Sequence, residues 1–330
     1  MDSVVKILGL LIFVFIILFI YQSLSTLIDN YRYPPSGRLV DIGGYKLHLD
    51  VRGEGQGKIT VVCDAGLGGT SLGWSLVQAE VSKFARICSY DRAGYAWSDP
   101  SSSKRTSINI ANELHLLLEK AKVSGPYILV GHSFGGANMM VFADLYPEET
   151  IGVILVDSVH EDMLKKLPNP SQKFFDKIIS HSIVQGLLAA SGYKRLKGQT
   201  TEIGRMFFPL SEPIRNAYYA QMNKTGYTQI VSKEMDCLEE SLLQLARCHI
   251  QDKPLIIITA GIASSSEEGK IWKELQKNLL FKSNKSKQIV AENSDHMINH
   301  HQPQIIVDAI KELVNSFSVF GNPKNGSENL

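Results

Sequence analysis

A long apolar run opens the chain. Residues 4–24 contain only Lys6, Gln22 and Ser23 as strongly polar members. A helix of this length is sufficient to cross a bilayer. We therefore expect residues 1–28 to form a single-pass N-terminal membrane anchor. The alternative is the signal peptide of a secreted protein, because a charged start, an apolar stretch and a Ser-Leu-Ser site fit its three regions.

The period of the hydrophobic pattern changes after residues 29–37, which contain two consecutive prolines and are expected to be a linker. Apolar and polar residues then alternate on both sides of Gly43-Gly44, which predicts a β-hairpin. Further strands are predicted at 59–63, 85–90, 127–130, 151–156, 254–259 and 287–291, and helices at 75–84, 107–121, 270–280 and 304–317. Strands that alternate with amphipathic helices at this spacing predict an α/β fold with a mostly parallel sheet.

This alternation stops between residues 161 and 250. Short amphipathic helices are expected there, broken by prolines and rich in aromatic residues, among them Phe174, Phe175, Phe207, Phe208, Tyr218 and Tyr219. We interpret this segment as a helical cap over the catalytic face; the alternative is a subdomain whose aromatic side chains only pack its own core. The core is then formed by residues 38–160 and 251–318, and residues 319–330 are expected to be a disordered tail.

Composition excludes some classes of function. The 34 basic and 33 acidic residues nearly cancel, whereas a nucleic-acid partner would require a basic face. The four cysteines, at 63, 88, 237 and 248, lack metal-ligand spacing and are expected to be free thiols. We expect neither a metal ion nor a cofactor.

Candidate chemistry begins at Ser133. The predicted strand at 127–130 runs directly into Gly-x-Ser-x-Gly at residues 131–135, and a helical stretch follows at once. A serine on a strand-to-helix turn of this kind is held in strained backbone geometry with its hydroxyl exposed. Ser133 is therefore the predicted nucleophile.

A serine hydroxyl needs a base that removes its proton during attack. His296 lies in a loop directly after the last predicted strand and is the predicted base, whereas His132 is expected to be structural. His300 and His301, just before a helix, are expected on the surface. The base in turn needs an acid that orients its ring.

Three carboxylates are candidates for that acid. Asp157 follows the sixth strand, at the same edge of the sheet as Ser133, and is favoured over Glu267 and Glu268 in the loop after the seventh strand. Asp295 adjoins His296 in sequence, which makes a side-chain hydrogen bond between the two awkward. The capping of a turn is the competing role for Asp157.

A tetrahedral intermediate also needs two hydrogen-bond donors for its oxyanion. The N–H of Phe134, directly after the nucleophile, is one candidate, and the N–H of Leu67 in the glycine-rich loop after the third strand is the other. That loop has neither Gly-x-Gly-x-x-Gly nor a Lys-Ser/Thr ending, so it lacks the motifs of phosphate-binding loops.

The motifs at residues 65–69, 91–99, 131–136 and 294–296, in this order, resemble those of the α/β-hydrolase superfamily. The resemblance covers roughly residues 38–318. It implies an eight-stranded sheet with helices on both faces, a triad of Ser133, His296 and an acid, and a cap inserted after the sixth strand. Two features depart from the family: Ala65 replaces a common histidine in the oxyanion loop, and the loop after the seventh strand lacks an aspartate.

These observations predict a membrane-anchored serine hydrolase that cleaves a carboxylic ester through an acyl-enzyme, and the anchor and the aromatic-rich cap favour a lipophilic substrate as a hypothesis. Amide or thioester cleavage, and cofactor-free haloperoxidase or lyase chemistry on the same triad, are alternatives. A binding protein that kept the fold and lost turnover is an alternative from another class. Dehalogenases and epoxide hydrolases of this capped layout use an aspartate nucleophile, and Ser133 argues against both.

Overall fold

A computed structural model describes residues 2–167, 187–198, 206–262 and 266–320. Its strands form one eight-stranded sheet in the order β1-β2-β4-β3-β5-β6-β7-β8. The strands are β1 (Arg38–Asp41), β2 (Lys46–Arg52), β3 (Thr60–Asp64), β4 (Arg86–Tyr90), β5 (Tyr127–His132), β6 (Thr150–Val156), β7 (Pro254–Ala260) and β8 (Lys285–Ala291). The hairpin β1–β2 and the pair β2–β4 are antiparallel, and all other pairs are parallel. The predicted fold class is confirmed.

Helices cover both faces of this sheet. The described helices are α1 (Asp2–Arg32), α2 (Ser75–Val81), α3 (Ser107–Lys120), α4 (Phe134–Leu145), α5 (Met163–Lys166), α6 (Tyr193–Lys197), α7 (Glu212–Met222), α8 (Thr225–Asp236), α9 (Leu238–Arg247), α10 (Glu267–Asn278), α11 (Ile298–His301) and α12 (Pro303–Phe320). One apolar core lies between the sheet and α3, α4 and α10, and the other lies between the sheet and α2 and α12. Parallel strands buried on both faces in this way read as continuous apolar runs, which is why β3 and β5 to β7 are recognisable in the sequence.

The N-terminal helix is longer than its predicted boundary. α1 continues through Asp29 to Arg32, four residues into the segment predicted as a linker. It ends there because Pro34 disfavours helical geometry at Tyr33. The apolar part of α1 is exposed along its length, and it is long and apolar enough to cross a membrane.

The segment between β6 and β7 is helical in its described parts and holds α5 to α9. Phe207 packs on Tyr218, with ring centroids 4.3 Å apart, and on His300 of α11, at 5.6 Å. The aromatic side chains of this segment therefore contact the core as well as one another, whereas Phe208 is exposed. Phe174, Phe175 and the tail from residue 321 lie outside the described residues.

Candidate active site

The turn between β5 and α4 holds Ser133 in strained geometry. Ser133 has φ 53° and ψ −121°, in the left-handed half of the Ramachandran plot that a side chain rarely adopts. Close packing at the turn explains its glycines: a Cβ on Gly131 would lie 2.5 Å from the backbone of Gly135 and Gly136. A Cβ on Gly135 would lie 2.4 Å from the carbonyl oxygen of Asp64 at the end of β3. Asp157 also has a positive φ, of 43°, and backbone strain of this kind clusters at functional sites.

The loop after β8 brings His296 to the same edge of the sheet. The Nδ1 atom of His296 lies 2.6 Å from Oδ2 of Asp157, which directly follows β6. The His296 side chain is 45% exposed, whereas the Asp157 side chain is 2% exposed. One end of the imidazole is thus fixed by a buried carboxylate while the ring stays accessible to a substrate.

The carboxylate of Asp157 is held on both oxygens. Its Oδ1 accepts hydrogen bonds from the backbone N–H of Ala260, at 3.0 Å, and from Nε1 of Trp272 in α10, at 3.2 Å. Burial by itself raises the pKa of Asp157, but the hydrogen bond and charge of His296 and these two donors outweigh burial, so the pKa is lowered. Asp157 is therefore anionic at neutral pH, as an acceptor for an imidazolium must be.

The other acidic candidates lie elsewhere. Glu267 and Glu268 lie in the first turn of α10, where Glu267 is exposed and Glu268 is half-buried, and Glu267 faces Lys270 across 3.5 Å. Asp295 pairs with Nδ1 of His301, at 2.8 Å, and accepts the backbone N–H of Met297. Of the candidate acids, the structure brings only Asp157 to His296.

Ser133 and His296 are connected through the residue that precedes the serine. His132 links them: its Nε2 donates to the carbonyl oxygen of His296 at 2.8 Å, and the two imidazole rings lie 4.7 Å apart. Burial lowers the pKa of His132 to about 3, so its ring is a neutral donor. The hydrogen bond from Ser133 Oγ to His296 is not formed among the described residues, and such contacts in hydrolases often tighten only when substrate is bound.

Two backbone N–H groups flank Ser133. Gly66 packs directly against it, because a Cβ on Gly66 would lie 3.0 Å from Cβ of Ser133. Within the described part of the chain, the N–H groups of neighbouring Leu67 and of Phe134 donate to no acceptor. Unpaired N–H groups beside a strained serine are the arrangement that an oxyanion requires.

Sequence reasoning missed three residues that shape this site. Arg92 is buried beneath the glycine-rich loop and contacts two of its carbonyl oxygens. Trp272 holds Asp157, and His300, expected on the surface, is 1% exposed. The surface location predicted for His300 is wrong because α11 packs against Gly73 and the aromatic cluster around Phe207. The Asp-Arg pair directly after β4 was the one feature of the sequence that could have drawn attention to Arg92.

Comparison with known proteins agrees with this architecture. A family model described as alpha/beta hydrolase fold matches residues 59–232. The uncharacterized protein YqjL of Bacillus subtilis (strain 168) is 26% identical over 277 residues, which cover 82% of this chain and 89% of that protein.

Solved structures extend the likeness to most of the chain. The crystal structure of Cfl2 from Burkholderia cenocepacia superposes with a TM-score of 0.66 at 19% identity, covering 83% of this chain and 94% of that one. An epoxide hydrolase of Bacillus megaterium, crystallised with an inhibitor, superposes with a TM-score of 0.65 at 18% identity, covering 84% of this chain and 100% of that one. At these identities the likeness extends to the fold alone.

Proposed function

Since the chain belongs to the α/β-hydrolase family, we propose that it is a serine hydrolase that cleaves a carboxylic ester through an acyl-enzyme on Ser133. One observation carries this proposal: His296, brought to the Ser133 edge of the sheet, is held through Nδ1 by the buried carboxylate of Asp157. A hydrogen bond of this kind fixes the tautomer that leaves Nε2 free to accept a proton. The aspartate nucleophile of epoxide hydrolases has no counterpart at position 133.

In the proposed reaction, Ser133, His296, Asp157 and the two backbone N–H groups each have one role. Ser133 Oγ forms a bond to the ester carbonyl carbon while His296 Nε2 takes the hydroxyl proton, and Asp157 stabilises the resulting imidazolium. The N–H groups of Leu67 and Phe134 donate to the tetrahedral oxyanion. Collapse of this intermediate breaks the bond to the alkoxide oxygen, which leaves as the alcohol with the proton from His296. Water then repeats the sequence on the acyl-enzyme and releases the acid.

We further propose that α1 is retained as a membrane anchor. Gln22 is 2% exposed, and its Nε2 donates to the carbonyl oxygen of Asn223 at the end of α7, at 2.6 Å. Arg195 in α6 bonds Oε1 of Gln22, at 3.2 Å, and Oδ2 of Asp29, at 2.6 Å. One polar stripe of an otherwise apolar helix is thus part of the packed fold. A signal peptide cleaved near residue 25 would remove Gln22 and leave the carbonyl oxygen of Asn223 and the Nε of Arg195 without this partner.

A lipophilic ester is the substrate class that suits this arrangement. The segment between β6 and β7 serves as the cap, and its helix α8 places Tyr227, Ile230 and Val231 beside the glycine-rich loop. Tyr227 donates its hydroxyl to the carbonyl oxygen of Gly68 at 2.8 Å. Apolar side chains over a catalytic edge favour an acyl chain over a polar group.

The test is hydrolysis of p-nitrophenyl esters of increasing acyl length by the full chain in detergent, with Ser133→Ala and His296→Ala alongside. We expect turnover with a preference for a medium or long acyl chain, and a loss of at least about 10³-fold in both variants. Variants that retain most of the activity would exclude the triad. A folded protein that hydrolyses none of the esters would favour amide cleavage, a non-hydrolytic reaction or binding alone.

A further inference from the structure

Arg92 is a buried cation with all of its donors in use. Its side chain is 1% exposed, and a guanidinium has five N–H groups. Two reach carboxylate oxygens of Glu234, at 2.8 and 3.0 Å, and one reaches Oδ1 of Asp64, at 2.6 Å. The remaining two reach the carbonyl oxygens of Ala65 and Gly66, at 2.6 and 2.9 Å. The position of the guanidinium is therefore fully determined by its partners.

The last of these contacts constrains a donor of the proposed oxyanion hole. The carbonyl of Gly66 and the N–H of Leu67 belong to one planar trans peptide and point in opposite directions. Because Arg92 holds the Gly66 oxygen on its own side, the Leu67 N–H is directed away from Arg92. The N–H of Gly69 bonds the same oxygen at 2.9 Å, so the peptide plane has two restraints.

Glu234 belongs to the cap and not to the core. It lies in α8, is 0% exposed, and binds Arg92 through both oxygens. The hydroxyl of Tyr95, in the loop after β4, donates to Oε2 of Glu234 at 2.9 Å. A bidentate pair of this kind fixes the plane as well as the position of the guanidinium. In addition to the direct bond from Tyr227 to Gly68, the cap is thereby connected to the glycine-rich loop through the buried side chain of Arg92.

From this connection we propose that Glu234 is a positioning residue, which acts through Arg92 to orient the Leu67 N–H toward the developing oxyanion. The inference rests on the proposed acyl transfer at Ser133 and adds a role for the cap: a docked α8 completes the oxyanion hole. Displacement of α8 from the loop frees Arg92 from two of its five contacts and relaxes the Gly66–Leu67 peptide.

The charges of Arg92, Asp64 and Glu234 indicate which variant should still fold. Arg92 faces two carboxylates, Asp64 and Glu234, so Glu234→Gln leaves one buried cation paired with one buried anion. Loss of Arg92 would instead leave two buried carboxylates without a cation, which is strongly destabilising. Tyr95→Phe is a second, uncharged change that removes one bond to Glu234. Glu240→Gln on α9 is the matched control, since Glu240 is half exposed and, among its described contacts, faces only Lys104, at 3.7 Å.

The experiment compares the full-length wild type with these variants in three measurements. The first is kcat and KM on the best p-nitrophenyl ester. The second is the inhibition constant of a trifluoromethyl ketone, which forms a tetrahedral oxyanion with a serine, against that of the methyl ketone with the same alkyl chain. The third is amide hydrogen exchange in the peptide that covers residues 64–70.

For Glu234→Gln we expect kcat to fall about 10- to 100-fold, which is less than the effect of removing a whole oxyanion donor. KM should stay within about twofold of the wild-type value. The affinity for the trifluoromethyl ketone should fall by the same factor as kcat, whereas the affinity for the methyl ketone should be unchanged. Amide hydrogen exchange in residues 64–70 should become faster. Tyr95→Phe should show the same pattern at about 2- to 5-fold, and Glu240→Gln should match the wild type.

Two results would overturn the inference. In the first, a folded Glu234→Gln protein has the same kcat as the wild type and the same rate of amide exchange in residues 64–70. In the second, KM rises and the affinities for both ketones fall equally, since that pattern is expected of a residue that only holds the cap in place. A wild type that hydrolyses no ester contradicts the proposed function instead, and exchange at 64–70 then still decides whether Glu234 orders the loop.

Discussion

His296 Nδ1 and Asp157 Oδ2 lie 2.6 Å apart, although the two residues are separated by 139 positions in the chain. Asp157 lies at the carboxyl end of β6 and His296 in the loop beyond β8. The carboxylate has its second oxygen fixed by Ala260 and Trp272, so its position does not depend on His296. This pair is the part of the site from which the proposed chemistry follows.

Asp157→Asn tests the role of the carboxylate. The asparagine keeps an oxygen for the Ala260 and Trp272 donors, so we expect the variant to fold. Its amide nitrogen would face His296 Nδ1 and favour the tautomer that carries the proton on Nε2, which cannot accept the proton of Ser133. We expect kcat to fall about 10³- to 10⁴-fold, because the wrong histidine tautomer lowers kcat by a similar factor in serine proteases.

Steady-state kinetics on the best ester measures this loss, with Glu267→Gln as the control. Glu267 is exposed and pairs only with Lys270 among its described contacts. If Asp157→Asn kept its rate while Glu267→Gln lost it, the acid would have been assigned to the wrong carboxylate.

His300 should make the folded state sensitive to acid. Burial lowers the pKa of His300 from 6.5 to about 4, although its Nδ1 donates to the carbonyl oxygen of Met206 at 3.0 Å. Between pH 6.5 and about 4 the unfolded chain binds a proton at this residue and the folded chain does not. Stability is therefore lost as the pH falls through that window, by about 3 kcal/mol in total.

The check is urea unfolding of the wild type and His300→Asn at several pH values across that window. The variant should be less stable at neutral pH, because it loses buried packing, but its free energy of unfolding should fall less steeply toward acid. His249→Asn, at an exposed position, should keep the wild-type slope. Parallel slopes for the wild type and His300→Asn would show that His300 is not the acid-sensitive group.

Retention of α1 is a separate prediction. Because Gln22 and Asp29 contact α7 and α6, the mature protein should keep its N-terminal residues and stay in the membrane fraction after alkaline carbonate extraction. Intact-mass measurement of the purified full chain checks the first point. A mature protein that begins near residue 25 and is found in the soluble fraction would identify residues 1–24 as a signal peptide.

The contacts of α1 also predict a stability effect. Gln22→Leu leaves the carbonyl oxygen of Asn223 and the Nε of Arg195 without their partner, and an unmet buried hydrogen bond costs about 1–3 kcal/mol. Thermal unfolding in detergent should therefore shift downward in Gln22→Leu. Ser23→Leu, which changes the neighbouring exposed position, should not shift it.

The sheet and the nucleophile could be predicted because their signals are local. Buried parallel strands are continuous apolar runs, and the turn at Ser133 needs glycine at 131 and 135 within five consecutive residues. Strand ends were displaced by one or two residues, as at β8, which begins at Lys285 and not at residue 287. Side-chain pairing did not enter into any of these predictions.

The network around Arg92 could not be predicted in the same way. Its partners come from β3, from the glycine-rich loop and from α8, so no single stretch of sequence contains the pattern. His300 illustrates the same limit, since its burial depends on a 3₁₀ turn at Ser71–Trp74 and on Phe207 in the segment between β6 and β7. α1 is different: Gln22, Thr26 and Asp29 recur at helical spacing, and that stripe could have indicated that the helix packs on the fold.

The most direct test of the account is covalent labelling of the nucleophile. The full chain is treated with a fluorophosphonate probe, which phosphonylates an activated serine, and the labelled peptide is mapped by mass spectrometry beside Ser133→Ala and Asp157→Asn. We predict one label per chain, on Ser133, with no label in Ser133→Ala and much slower labelling in Asp157→Asn. Label on another residue, or none in a folded protein that hydrolyses esters, would contradict an acyl-enzyme on Ser133.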